Sequence, residues 1–398
     1  MFEKELNSLF ETMILKNYFQ GIQWSIKKDN ISYAGKVGFM DLDNKDPIRE
    51  DSIYRIWSMT KPIVAIATMI LVERGQIDLE DPIESYLPQA KKLKVLQNKN
   101  NNEVLLDLER SIKIKDLLLH TAGFSYNFLN DPIGKEYEKN KIFHSENSLL
   151  KNEVEKILTF PLLYQPGKNW VYSVSIDVLA YIIEIITNKS ISLFLEENIF
   201  KPLGMKDTFY FVEENKRHRI MSSYEYIQKS NELKKISYKS QTINNYGYPQ
   251  GNTQYARGGH GLFSTIYDYM KFANMLLSGE GKNQEKILDT KYLKLVNQNY
   301  IKPDLFPLEI NSMGGNKFND IPNDLLPYGW GLGFRVMINK EKNNNLGSLG
   351  EFGWSGAAAT YFLVDPSKNI TAVLMTQVLQ ANPILKKLFY EFIYNNFK

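Results

Sequence analysis

The chain has 398 residues, 43% apolar and 23% charged, enough to bury a large core and more than one lobe. Its 48 basic and 45 acidic residues leave a net charge of +3, too balanced to point to nucleic acid or an anionic membrane surface. There is no cysteine, which excludes disulfides, thiol catalysis, thiolate metal sites and iron–sulfur clusters.

Residues 1–17 carry Phe2, Leu6, Leu9, Phe10, Met13 and Ile14 on one side, a helical period. The segment lacks the basic start and unbroken apolar core of a signal peptide, and no run approaches about 18 apolar residues. The expectation is a cytoplasmic protein that does not span a membrane. Alternation over 22–28 and 31–39 predicts two strands joined by a hairpin turn at Asp29-Asn30. Next comes the apolar run from Pro62 to Val72, with proline in its first turn and Gly75 just past its end, which predicts a helix. Residues 94–108 form two apolar pieces around a polar tract, a small hairpin or an insertion. Helical patterns dominate from 112 to about 200, notably over 175–186 and 191–199, before the punctuation Pro202-Leu203-Gly204. Residues 207–258 are polar and irregular. After Arg257-Gly258-Gly259-His260-Gly261 the period predicts a helix over 265–277, strands over 331–337, 357–364 and 370–375, and a terminal helix near 383–394. Strands at both ends around a helical middle predict an α/β domain built from 1–75 and 255–398, with 76–254 inserted as a mostly helical domain.

Three serines stand three residues before a lysine: Ser25/Lys28, Ser58/Lys61 and Ser148/Lys151. In a strand, residues three apart point to opposite faces, so Ser25 and Lys28 do not cooperate. Ser148 opens an ordinary amphipathic pattern. Ser58 stands where the strand-like Tyr54-Arg55-Ile56-Trp57 meets a predicted helix, and there residues three apart share a face. Hydroxyl and amine then meet at a helix N-terminus, the outline of an activated nucleophile. A lysine base has a cost: at the ordinary pKa of about 10.4, roughly one lysine in two thousand is neutral at pH 7, a penalty of about 4.6 kcal/mol. A tyrosine that shares the proton traffic would ease it. Pro166-Gly167-Lys168-Asn169-Trp170-Val171-Tyr172 delivers Tyr172 on an extended segment just before a predicted helix.

Other chemistries find little support. Gly353-Trp354-Ser355-Gly356-Ala357 departs from the G-x-S-x-G elbow, and there is no phosphate loop or H-E-x-x-H. The four histidines, 120, 144, 218 and 260, are scattered and read as structural. The glycine-rich Gly329-Trp330-Gly331-Leu332-Gly333 runs into a predicted strand, unlike a dinucleotide site.

Ser58-Met59-Thr60-Lys61, then Tyr172-Ser173, then Trp354-Ser355-Gly356 before a strand resemble the ordered motifs of the serine β-lactamase and penicillin-binding-protein superfamily. The likeness is greatest to class C β-lactamases and the related family VIII carboxylesterases. Ile114-Lys115-Asp116-Leu117-Leu118-Leu119-His120-Thr121-Ala122-Gly123 and Gly261-Leu262-Phe263-Ser264-Thr265 look familial too. The resemblance implies an α/β (α+β) fold of the β-lactamase/transpeptidase type, an antiparallel sheet flanked by helices plus an inserted, mostly helical lobe. It also implies acyl transfer with Ser58, Lys61 and Tyr172 as catalytic residues and the backbone N–H groups of Ser58 and Ala357 as the oxyanion hole. Trp354, Ser355, Gly356 and Val174 would line the substrate, and no metal or organic cofactor is required.

Two departures bear on substrate. Val174 stands where the β-lactamases have asparagine, and Trp354 where they have a lysine that meets a substrate carboxylate. An apolar wall without that cation suits a small-molecule, uncharged acyl ester, so a carboxylesterase is expected, with a β-lactamase or D-Ala-type peptidase and a non-catalytic binding protein as alternatives.

Overall fold

The computed structural model describes residues 2–99, 102–144, 148–236, 256–310 and 325–397. The expected boundary near 254, and residues 237–255 of the polar stretch, lie outside these. Eight strands form one sheet in the spatial order Tyr328–Trp330, Arg335–Met337, Phe352–Ser355, Tyr361–Asp365, Ile370–Met375, Gly21–Lys28, Ile31–Asp41 and Asp46–Pro47. Every pairing in it is antiparallel. The two parts of the chain meet at the centre, where Gln23 pairs with Met375 and Lys28 with Ile370.

Strands Tyr361–Asp365 and Ile370–Met375 read as near-continuous apolar runs because both faces are covered. Tyr361, Leu363, Ala372 and Leu374 pack with Phe10 of helix Phe2–Leu15 and Phe389 of helix Ile384–Asn396. Their neighbours Phe362, Val364, Val373 and Met375 point the other way, into a larger core with Tyr269 and Phe272 of helix Ile266–Ser278. Alternate residues thus feed two cores, as a pleated strand requires. The larger core also takes helix Thr60–Glu73, in which every residue from Thr60 to Leu71 is buried. A helix apolar on all sides belongs inside a protein. Gly75, at φ +66°, ends it in the left-handed region that glycine enters without strain.

Two expected strands differ in the structure. Residues 331–337 were expected to be one strand, but the sheet holds Tyr328–Trp330 and Arg335–Met337 as a hairpin, closed by Gly331 N–H donating to Phe334 O at 2.7 Å. Gly333, at φ +89°, lies so close to the helix that an added Cβ would stand 2.3 Å from Ala65 Cβ. The strand expected over 357–364 begins at Tyr361, because Gly356 N–H donates to Thr360 O at 2.8 Å and Ala359 adopts φ +59°. Ala357 therefore lies on a turn. The segment over 94–108 is the hairpin Lys94–Lys99 and Asn102–Asp107.

Candidate active site

Ser58 lies on the 3-10 turn Trp57–Met59 that leads into helix Thr60–Glu73. Trp57 holds φ +48°, a strained position for a bulky side chain of the kind that gathers at functional sites. Ser58 is half-buried, whereas Lys61 one turn on is only 1% exposed. Lys61 Nζ donates to Ser58 Oγ at 3.2 Å and to Gly259 O at 2.7 Å. It also lies 4.7 Å from the ring centroid of Tyr172 and 5.1 Å from that of Tyr126, so two aromatic faces flank the amine. The serine–lysine pair expected from spacing is formed.

Tyr172 is fixed by the chain on both sides of it. Val171 N–H donates to His120 O at 2.9 Å, Ser173 N–H to His120 Nδ1 at 3.2 Å, and Val174 N–H to Ser125 O at 3.1 Å. The segment holding His120 is itself anchored by Asp116, which takes both guanidinium ends of Arg110 at 2.6 and 2.8 Å and the Thr121 hydroxyl at 3.1 Å. Trp354 Nε1 donates to Tyr172 Oη at 3.2 Å, and the two rings lie 5.4 Å apart. Trp330, Trp170 and His120 complete the aromatic wall around that phenol.

Strand Phe352–Ser355 brings Trp354 and the half-buried Ser355 to the site. At Gly356 a Cβ would stand 2.4 Å from Ile56 O, and Thr360 Oγ1 donates to the same carbonyl at 3.4 Å. That close approach sets Gly356, next to the exposed Ala357, against the residue that leads into the turn carrying Ser58. Val174, expected on the substrate wall, is fully buried.

Several residues around the site escaped the sequence reading. Gly259 supplies the carbonyl for Lys61, Tyr126 and Trp330 supply ring faces, and Asp177 holds Gly259 N–H at 2.8 Å. Two of the scattered histidines are here. His120 packs against Tyr172, and burial, reinforced by the Lys61 charge, holds its pKa well below the ordinary 6.5. His260 stacks on Trp57, and burial with the Lys61 and Arg257 charges lowers its pKa to about 3. Both are neutral at pH 7. Burial pushes the Asp177 carboxyl up, against the opposing pull of Lys61, Gly259 N–H and Arg257.

Comparison with known proteins adds findings of three kinds. The sequence model of the β-lactamase family matches residues 13–390. Protein Rv1367c of Mycobacterium tuberculosis (strain H37Rv) is 28% identical over 378 residues, covering 91% of this chain and 89% of that one. Lovastatin esterase of Penicillium rubens is 31% identical over 60% of this chain and 58% of its own, and Esterase EstB of Burkholderia gladioli 30% identical over 48% and 46%. Among solved structures, EstCE1, a hydrolase with promiscuous acyltransferase activity, superposes with a TM-score of 0.80 at 20% identity, covering 99% of this chain and 98% of its own. Simvastatin synthase (LovD) of Aspergillus terreus superposes with a TM-score of 0.79 at 22% identity, with the same coverage. Both share the mixed fold of an antiparallel sheet and helices.

Proposed function

The chain belongs to the β-lactamase family, whose relatives here include esterases and acyltransferases, and from that premise we propose that it is a carboxylesterase working through an acyl-enzyme on Ser58. The observation that carries this reading is the 3.2 Å bond between Lys61 Nζ and Ser58 Oγ, set within a wall of aromatic rings.

Ser58 Oγ attacks the ester carbonyl carbon while its proton passes toward Lys61, with Tyr172 beside the amine to relay it. Negative charge on the carbonyl oxygen is met by the Ser58 and Ala357 N–H groups, where loss of one donor typically costs about 3 to 4 kcal/mol. The carbon–oxygen bond to the alcohol breaks, and the alcohol leaves with the proton. Water then adds to the acyl carbon, the bond to Ser58 Oγ breaks, the serine regains its proton and the acid departs. An indole at position 354 in place of a cation favours uncharged acyl esters over carboxylate substrates.

The test compares p-nitrophenyl acetate, p-nitrophenyl butyrate and a chromogenic cephalosporin on wild type and Ser58→Ala. Ester hydrolysis that Ser58→Ala abolishes is the expected result. Faster cephalosporin than ester turnover would replace the esterase reading with a β-lactamase one, and no turnover of any substrate would remove both.

A further inference from the structure

Asp177 is a fully buried carboxylate with no part in the chemistry above. It stands in the first turn of helix Ser175–Thr187, three residues past Val174, whose carbonyl accepts its N–H at 2.9 Å. Its two oxygens face two groups that touch Lys61. Oδ1 accepts Gly259 N–H at 2.8 Å, and the Gly259 carbonyl is the nearer of the two acceptors bonded to Lys61 Nζ, at 2.7 Å against 3.2 Å for Ser58 Oγ. Oδ2 accepts the Tyr126 hydroxyl at 3.4 Å, and the Tyr126 ring flanks the same amine.

The glycine segment packs closely against its neighbours. A Cβ at Gly258 would stand 2.1 Å from Ile176 O, and one at Gly259 would stand 2.2 Å from Tyr126 Oη and 2.6 Å from Asp177 Oδ2. Gly258 thus lies against the first turn of the helix, and Gly259 against the Tyr126 and Asp177 side chains. The Gly259 carbonyl is in turn a contact that bears on where the Lys61 amine lies relative to Ser58. Displacing a base by about 1 Å from its partner can cost on the order of a hundredfold in rate, so this distance is worth a dedicated clamp.

We propose that Asp177 is a positioning residue: through Gly259 and Tyr126 it holds Lys61 Nζ within reach of Ser58 Oγ. The inference rests on the Ser58 acyl-enzyme reading given above. It assigns no proton transfer to Asp177 and no contact with substrate.

The test measures p-nitrophenyl butyrate hydrolysis and the rate at which a fluorophosphonate labels Ser58, in wild type, Asp177→Ala, Asp177→Asn, Lys61→Ala and the Asp177→Ala/Lys61→Ala pair. Asp177→Ala is expected to lower kcat and the labelling rate about 10- to 100-fold with KM within about twofold. Asp177→Asn keeps an acceptor for Gly259 N–H and is expected to recover to within about threefold of wild type. In the Lys61→Ala background, Asp177→Ala is expected to add nothing, since a residue that acts through lysine has no lysine to act on. Wild-type kcat in Asp177→Ala, or a full further loss in the Lys61→Ala background, overturns the inference alone. Should Asp177→Ala fail to fold, Asp177→Ser is put through the same comparisons, its short hydroxyl being unable to reach Gly259. Wild-type protein that neither hydrolyses ester nor labels at Ser58 removes the acyl-enzyme reading and this inference with it.

Discussion

Glu351 offers a sharp test of the energetics. It is fully buried beside the C-terminal helix, with Tyr390 Oη donating to its Oε2 at 2.5 Å. The Tyr394 hydroxyl lies 2.8 Å from the same oxygen and 2.9 Å from Asp365 Oδ2. A phenol has one proton to give, so two ionised carboxylates cannot both be satisfied by Tyr394; a protonated Glu351 can donate to it while it donates to Asp365. Burial, more than the nearby Asp365 charge, raises the Glu351 pKa from 4.5 to about 7, against the pull of Arg335. The native state therefore holds a proton that the unfolded chain releases, and the stabilisation present below pH 4.5 is lost as pH rises toward 7. A gap of about 2.5 units corresponds to about 3 kcal/mol at 1.36 kcal/mol per unit. Glu351→Gln supplies an amide N–H in place of the carboxyl proton for Tyr394 and removes the titration. Its Tm is expected to lie near that of wild type at pH 5 and to exceed it by a few degrees at pH 8, read by differential scanning fluorimetry across that range. A Tm difference that stays constant from pH 5 to 8 would show that Glu351 does not hold the extra proton of the native state.

Two other perturbations have definite outcomes. Trp354→Phe removes the N–H that donates to Tyr172 Oη but keeps a ring in the wall, so kcat for p-nitrophenyl butyrate should fall about two- to tenfold, the worth of one neutral hydrogen bond, with the Tm little changed. His260 stays neutral in the folded protein while the unfolded chain takes a proton below pH 6.5, so it costs stability as pH falls from 6.5 toward 3. His260→Phe can still stack on Trp57, and its melting temperature should drop less than that of wild type between pH 7 and pH 5.

The parts of the site that the sequence disclosed were those encoded locally. Ser58 and Lys61 lie one helical turn apart, and proline and glycine mark the ends of their helix, so the pair was legible from spacing and punctuation. Tyr172 and Trp354 were found by motif order, and the structure adds the indole N–H that joins them. The residues that were missed are encoded by contact across the chain. Gly259 meets Lys61 over a separation of 198 residues, and Asp177 reaches Gly259 over 82. The Gly258-Gly259 pair was visible as punctuation, but what crowds the two positions, the Ile176 carbonyl at one and the Tyr126 and Asp177 side chains at the other, exists only in the folded protein. The two misplaced strands share a cause. Apolar period marks what is buried, and Leu332, Phe334 and Ala358 are buried in turns as fully as their neighbours are in strands.

The measurement that bears most directly on the account is the mass of the protein quenched during turnover of p-nitrophenyl butyrate, followed by peptide mapping. One butyryl group on Ser58, slow to form in Lys61→Ala and absent in Ser58→Ala, is the predicted result. Continued turnover in Ser58→Ala, or an acyl group carried on any other residue, would contradict it.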